Sequence, residues 1–150
     1  MSITMRDVRT QLEPDEPDYA KAAQLGADAI PYLQELVNGD DIMLASKAAY
    51  LASLIKNENS ISVLENAARN PQPVVRVAAA SGLRNLSEEN ADRVSNLLID
   101  DRDVGVRKVT VKSISQFRSP ALVAKVRKLA TEDPESFVRD LASRIIEDIR

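Results

Sequence analysis

The sequence contains no cysteine, no histidine and no tryptophan among its 150 residues. Without cysteine, the chain can form neither a disulfide nor a thiolate metal site, and it has no thiolate nucleophile. Without histidine, it lacks the commonest general base and the commonest transition-metal ligand. Aromatic residues make up only 3% of the chain, which argues against binding that depends on stacking bases or sugars. These absences exclude many familiar catalytic and metal-centre chemistries.

Long apolar runs are missing as well. No stretch approaches the roughly 20 apolar residues that span a bilayer, and the first ten residues, MSITMRDVRT, do not resemble a secretory signal. We therefore expect a cytoplasmic protein without a membrane partner. The formal net charge of -3 is mild, but basic residues outnumber acidic ones after residue 100. The length suits one domain.

A pattern returns about every 32 residues along the chain. It is anchored on Arg76, Arg107 and Arg139, and a step back of 32 residues from Arg76 places Leu44 at the anchor of a first copy. Matching columns occur directly before, seven after and ten after the anchor: Met43, Val75, Val106 and Val138; Leu51, Leu83, Ile114 and Ile146; Leu54, Leu86, Phe117 and Ile149. An internal repeat of this length is typical of a helical solenoid.

Each copy has the periodicity of two helices, and no window alternates with a period of two. The prediction is an all-α protein, an α-α superhelix of four helical hairpins after an N-terminal capping pair, with about ten helices and no sheet. The expected boundaries are 1–26 for the cap and 27–56, 58–87, 88–118 and 119–150 for the repeats.

The runs NPQPVVRVAAASGL, DRDVGVRKVTVKSI and DPESFVRDLASRII, with the join AAQLGADAIPYLQELV, resemble the HEAT family. The closest resemblance is to the short HEAT-like repeats named after phycobilisome lyases, and it covers roughly residues 18 to 150. It implies a solenoid whose second helices line a concave face. It also implies a ladder of hydrogen bonds that joins Asn70, Asp101 and Asp133 to Arg76, Arg107 and Arg139. The alternative for these arginines is a row of ligand-binding side chains.

Catalytic motifs are scarce. The adjacent carboxylates, such as Asp40 and Asp41, fall in or beside predicted turns, where acids cap helices. Deoxyhypusine hydroxylase, a HEAT-like enzyme, needs His-Glu pairs that this chain lacks, and HEAT-like DNA glycosylases depend on tryptophan. We therefore expect no enzymatic activity, no cofactor and no metal.

The outward positions on the second helices are expected one, five and eight residues after each anchor. They predict a partner-binding surface with apolar contacts at Ala45, Ala49 and Val77 and polar contacts at Arg84, Lys108, Lys112 and Arg144. The expected partner is another protein, with an acidic or helical segment. The alternative is an ordinary solvated surface.

Three further hypotheses stay open at this point. Ile145 predicts a homodimer through the C-terminal helix, unless it packs against Leu141 and Ile149 of the same helix. The resemblance also implies a possible accessory role in phycobilisome or other tetrapyrrole chemistry. The basic residues Lys125, Arg127 and Lys128 suggest nucleic-acid binding, and the overall acidity counts against it.

Overall fold

The computed structural model describes residues 2–149, and within that range the chain forms ten α-helices and no strand. The helices are α1 (Met5–Leu12), α2 (Tyr19–Ala23), α3 (Ile30–Val37), α4 (Ile42–Leu54), α5 (Glu58–Ala68), α6 (Pro73–Gly82), α7 (Glu88–Ser95), α8 (Val104–Ile114), α9 (Pro120–Glu132) and α10 (Ser136–Ile149). The predicted all-α architecture is confirmed.

The helices form two layers. The first helices of the repeats, α3, α5, α7 and α9, pack in order along one layer, and the second helices, α4, α6, α8 and α10, pack in order along the other. The apolar core lies between the layers and continues from one repeat to the next; its fully buried large side chains include Leu33, Leu51, Leu64, Leu83, Leu98, Ile114 and Leu122. Packing of each hairpin against the hairpins before and after it gives the solenoid.

Short polar side chains fix where most of these helices begin. The side chains of Asp18, Asp41, Asn57, Ser87, Asp103 and Ser119 each accept a hydrogen bond from a backbone N–H in the first turn that follows. Such N-caps satisfy amide groups that have no partner inside the helix. The helix starts are therefore encoded locally.

The N-terminal helices α1 and α2 cover one side of α4. The ring of Tyr19 packs edge-on against Tyr50, with ring centroids 4.9 Å apart. Burial raises the pKa of Tyr19, and the neighbouring Tyr50 raises that pKa further. Lys47 Nζ also donates to the carbonyl of Pro14 over 2.8 Å. This end of the solenoid is therefore closed by the chain itself.

The first repeat differs by one residue from its predicted alignment. Helices α6, α8 and α10 each begin three residues before the anchor arginine, and α4 begins three residues before Ala45. Leu44 thus occupies the buried position of Val75, Val106 and Val138, with 5% of its surface exposed, whereas Met43 is 59% exposed. The prediction that Leu44 stands at the anchor is wrong, because the interval to Arg76 is 31 residues.

Candidate protein-binding face and polar ladder

Arg76 joins the second repeat to the third. Its Nε and Nη2 donate to the carboxylate oxygens of Asp101 over 2.8 and 3.2 Å. Its Nη1 donates to the carbonyls of Asn70 and Pro71, in the turn before its own helix. Both charged side chains are buried. The guanidinium of Arg76 therefore binds its own turn and the next hairpin at once, largely out of contact with solvent.

Arg107 repeats this arrangement between the third and fourth repeats. Its Nε and Nη2 donate to Asp133 over 2.8 and 3.3 Å, and its Nη1 donates to the carbonyl of Asp101 over 2.8 Å. The hydrogen bond to Asp133 raises the pKa of Arg107 above its usual value, although burial acts in the opposite direction. Because Arg76 and Arg107 are only 5% and 7% exposed, they are linkers between repeats and are not accessible to a ligand.

The two ends of this ladder lack the ion pair. At the first junction, Ala45 provides no guanidinium, and Asn70 donates its amide to the carbonyl of Val37 over 3.2 Å. At the last repeat, Arg139 Nη1 donates to the carbonyl of Asp133 over 2.6 Å. An amide fits the first position because an aspartate there would be charged without a cation to neutralise it.

The outward surface of α6, α8 and α10, which we call the second-helix face, is the candidate binding site. Residues three and seven positions apart lie on one side of a helix. Three such sets face outward on successive helices: Val74, Val77 and Ser81; Gly105, Lys108 and Lys112; and Phe137, Asp140 and Arg144. Arg84 extends the surface of the second repeat and is exposed. These sets bring Val77, Arg84, Lys108, Lys112 and Arg144 onto the same face.

Ala45 and Ala49 do not belong to this face. They are 1% and 0% exposed, so the expectation that they contact a partner is wrong. With the corrected alignment they stand at the anchor and four residues after it, where Arg76 and Ala80 are also buried. The outward residues of the first repeat are Met43, Ser46 and Tyr50, and the Tyr50 ring is covered by Tyr19.

The structure adds a row of exposed apolar side chains that the repeat pattern did not predict on the surface. Met43, Val74 and Phe137 are 59%, 52% and 46% exposed, and they occupy the same position near the start of α4, α6 and α10. Gly105 takes this position in α8. The residue at which each helix begins was the signal that could have predicted this row, since each of these residues is the second of its helix.

The cations of the second-helix face are not neutralised by acids. Lys108 and Lys112 are exposed, and within residues 2–149 neither forms an ion pair. Arg84 donates to the carbonyl of Ser81 and contacts the Ser113 hydroxyl at 3.4 Å. Among residues 2–149, Arg144 has only a long bond, 3.4 Å, to the carbonyl of Asp140 in its own helix. The face therefore combines apolar side chains at the helix starts with positive charge further along.

Two other sequence hypotheses rest on residues that the structure places elsewhere. Ile145 is partly buried against the core, so it does not provide the free apolar surface that suggested a homodimer. Lys125 Nζ binds the carboxylate of Asp92, the carbonyl of Asp92 and the hydroxyl of Ser95, each at 2.7 Å. Of the three basic residues proposed for nucleic acid, only Arg127 and Lys128 are exposed.

No helix within residues 2–149 is both long enough and apolar enough to cross a bilayer. In the same range, histidine, cysteine and acidic side chains do not gather in any group of three that could hold a metal ion.

The layered helical hairpins and their buried Arg–Asp links define an α-solenoid of repeated units. The family of HEAT repeats matches residues 61–147, and the chain belongs to this family. The match covers the repeats that carry the anchor arginines and leaves out the first repeat and the N-terminal pair. No curated protein matches the chain. HEAT repeats commonly serve as scaffolds for protein interactions.

Proposed function

We propose that the chain is a non-enzymatic, cytoplasmic scaffold or adaptor that binds another protein through its second-helix face. The observation that carries the proposal is the combination of exposed apolar side chains and unpaired cations on one face. Val74 and Phe137 are large, apolar and about half exposed, and Lys108 and Lys112 lie on the helix between them. Exposed apolar groups beside polar ones mark interaction surfaces.

The chemistry of this face specifies the partner. Apolar residues lie near the starts of the helices, and the exposed cations lie one to three turns further along. A segment that crosses the three helices would place apolar side chains over Val74, Val77 and Phe137 and acidic side chains over the lysines. The partner is therefore an amphipathic, acidic segment, and charge attraction would accelerate its association at low salt.

Charge reversal tests the proposal. Two double variants are compared with the unchanged chain in affinity capture from native lysate, followed by quantitative mass spectrometry. One combines Lys108→Glu with Lys112→Glu, and the other combines Val74→Ser with Phe137→Ser. The binding of each captured protein is then measured with purified components. We expect both variants to lose the same partner, by about tenfold or more in affinity for the charge reversal, while their melting temperatures stay close to that of the unchanged chain.

The matched control reverses two exposed cations at the other end of the molecule, Arg6→Glu with Lys21→Glu. This variant has the same change in net charge and should keep the partner. Equal loss of binding in the control and in the lysine variant would mean that overall charge, and not this face, determines capture. Unchanged affinity in both face variants would refute the proposal.

The remaining sequence hypotheses stay predictions. A tetrapyrrole accessory role rests on the resemblance alone. The hypothesis of a homodimer through α10 has less support, since Ile145 is partly buried and packs against the core. Nucleic-acid binding now depends on Arg127 and Lys128, which lie on α9 and not on the second-helix face.

A further inference from the structure

The C-terminal end of the solenoid carries the third arginine of the ladder. Arg76 and Arg107 use Nη1 for a carbonyl of their own turn, and they use Nε and Nη2 for the carboxylate of the next hairpin. Arg139 makes the first kind of contact, through Nη1. Among the described residues, its Nε and Nη2 have no acceptor. The guanidinium is anchored by the same atom as its counterparts and keeps two donors unused.

A groove of about 410 Å³ lies on this end face, between α9 and α10. It is lined by Arg127, Ala130, Thr131, Ser143, Ile146 and Glu147. Ser143 stands four residues after Arg139, and the matching residues Ala80 and Val111 are fully buried under the next hairpin. The groove is therefore the surface that an incoming hairpin covers at the internal junctions.

The first helices show what charge an incoming hairpin must carry. At two internal junctions, the first helix of the following repeat carries a cation that binds an acid of the preceding repeat. Arg93 binds Glu65 at 3.0 Å, and Lys125 binds Asp92 at 2.7 Å. These acids lie 11 and 15 residues before the anchor arginine of their repeat. The same interval before Arg139 reads AKVRK, from Ala124 to Lys128, and contains no acid. Arg127 of this interval lines the groove, so a hairpin cation at this point would meet a cation in place of an acid; the acid in the groove lining, Glu147, lies on α10.

We propose that the C-terminal end face docks an acidic helical hairpin of a partner protein. An aspartate in the turn before the partner's second helix binds Arg139, as Asp101 and Asp133 bind the two internal arginines. An acid on the partner's first helix faces Arg127, which lines the groove. A second copy of this chain does not fit, because α1 and α2 close its N-terminal end and its own repeats bring cations. The site is separate from the second-helix face.

A fused hairpin serves as the probe. A copy of residues 88–118 is appended after the last residue, once with its own sequence and once with the appended Arg93 changed to Glu. Tethering raises the local concentration, so that weak docking becomes measurable. Docking is followed by helical circular dichroism and by urea unfolding of the appended hairpin. We expect the version with glutamate to fold onto the end face with a docking constant about tenfold or more above that of the unchanged copy.

A double-mutant cycle assigns the contact to Arg139. Arg139→Gln in the chain and Asp101→Asn in the appended copy should each reduce the docking constant about tenfold. The two substitutions together should reduce it little more than either one alone. Arg144→Gln, on the second-helix face, should leave docking unchanged. Failure of both copies to dock, equal docking of both, or additive effects of the two substitutions would each overturn the proposal.

Discussion

At the scale of single residues, the main question is how the core accepts two guanidinium groups. Moving a charge out of water costs several kcal/mol unless a partner and further hydrogen bonds compensate it. Arg76 meets both conditions, since two donors bind Asp101 and a third binds turn carbonyls. Asp101 in turn accepts the backbone N–H of Asp103 over 2.9 Å. The pair is thus fully bonded, and it links the second repeat to the third.

Removing one member of the pair should therefore be costly. Arg76→Leu leaves the buried carboxylate of Asp101 without its cation, and we expect unfolding free energy to fall by about 3–5 kcal/mol in urea titrations. Arg93→Leu is the matched control, because the Arg93–Glu65 pair is largely exposed on the arginine side; its cost should be no more than about 1 kcal/mol. Equal costs for the two variants would mean that the ladder does not hold the repeats together.

At the scale of helices, the sequence predicted the hairpins well and the alignment of α4 poorly. Repeats two to four are aligned by a guanidinium in each copy, which is an unambiguous marker. Helix α4, IMLASKAAYLASL, has small or apolar residues on almost every side, so spacing alone does not fix which of them face the core. The N-caps were the better signal: Asp41 accepts from Leu44 N, as Asp103 accepts from Val106 N.

The same limit explains why part of the candidate site was missed. Lys108, Lys112 and Arg144 were predicted on the surface because their repeats are correctly aligned and their side chains are charged. Phe137 is apolar, and periodicity assigns an apolar residue to the core whether or not the core has room for it. The packed structure shows that Phe137, the second residue of α10, is 46% exposed, and the position of the helix start was the signal in the sequence that could have indicated it.

Two glycines offer a test of helix packing. A Cβ atom at Gly82 would lie 2.7 Å from the Cβ of Ser53, so α6 and α4 approach closely at this point. Gly82→Ala should lower the unfolding free energy by about 1–3 kcal/mol through overpacking, although helix propensity alone favours alanine by about 1 kcal/mol. Thermal and urea unfolding would measure the effect.

Gly105→Ala is the control for this prediction. A Cβ there meets only a side-chain oxygen of Asp103, at 3.0 Å, and no atom of a neighbouring helix. Its stability should stay within about 1 kcal/mol of the unchanged chain, on either side. If Gly82→Ala were as well tolerated as Gly105→Ala, the close approach of α4 and α6 would not be a constraint on stacking.

At the scale of the whole molecule, the two ends of the solenoid differ in how their apolar surface is covered. The N-terminal end is covered by α1 and α2, with Tyr19 packed on Tyr50. The C-terminal end relies on polar residues of the last repeat, such as Ser143 where the preceding repeat has Val111. In a linear array each repeat is stabilised by its neighbours, so a terminal repeat protects the apolar surface of the one before it.

Removal of the last repeat tests this role. A chain that ends at Arg118 would expose Val111, now 0% exposed, and would leave Arg107 without Asp133. We expect a lower melting temperature and concentration-dependent self-association, measured by calorimetry and by size-exclusion chromatography with light scattering. Val111→Ser in the shortened chain copies Ser143, the matching residue of the fourth repeat, and should reduce the association. A shortened chain that stayed monomeric and melted like the full chain would contradict the capping role, because the internal faces would then need no cover.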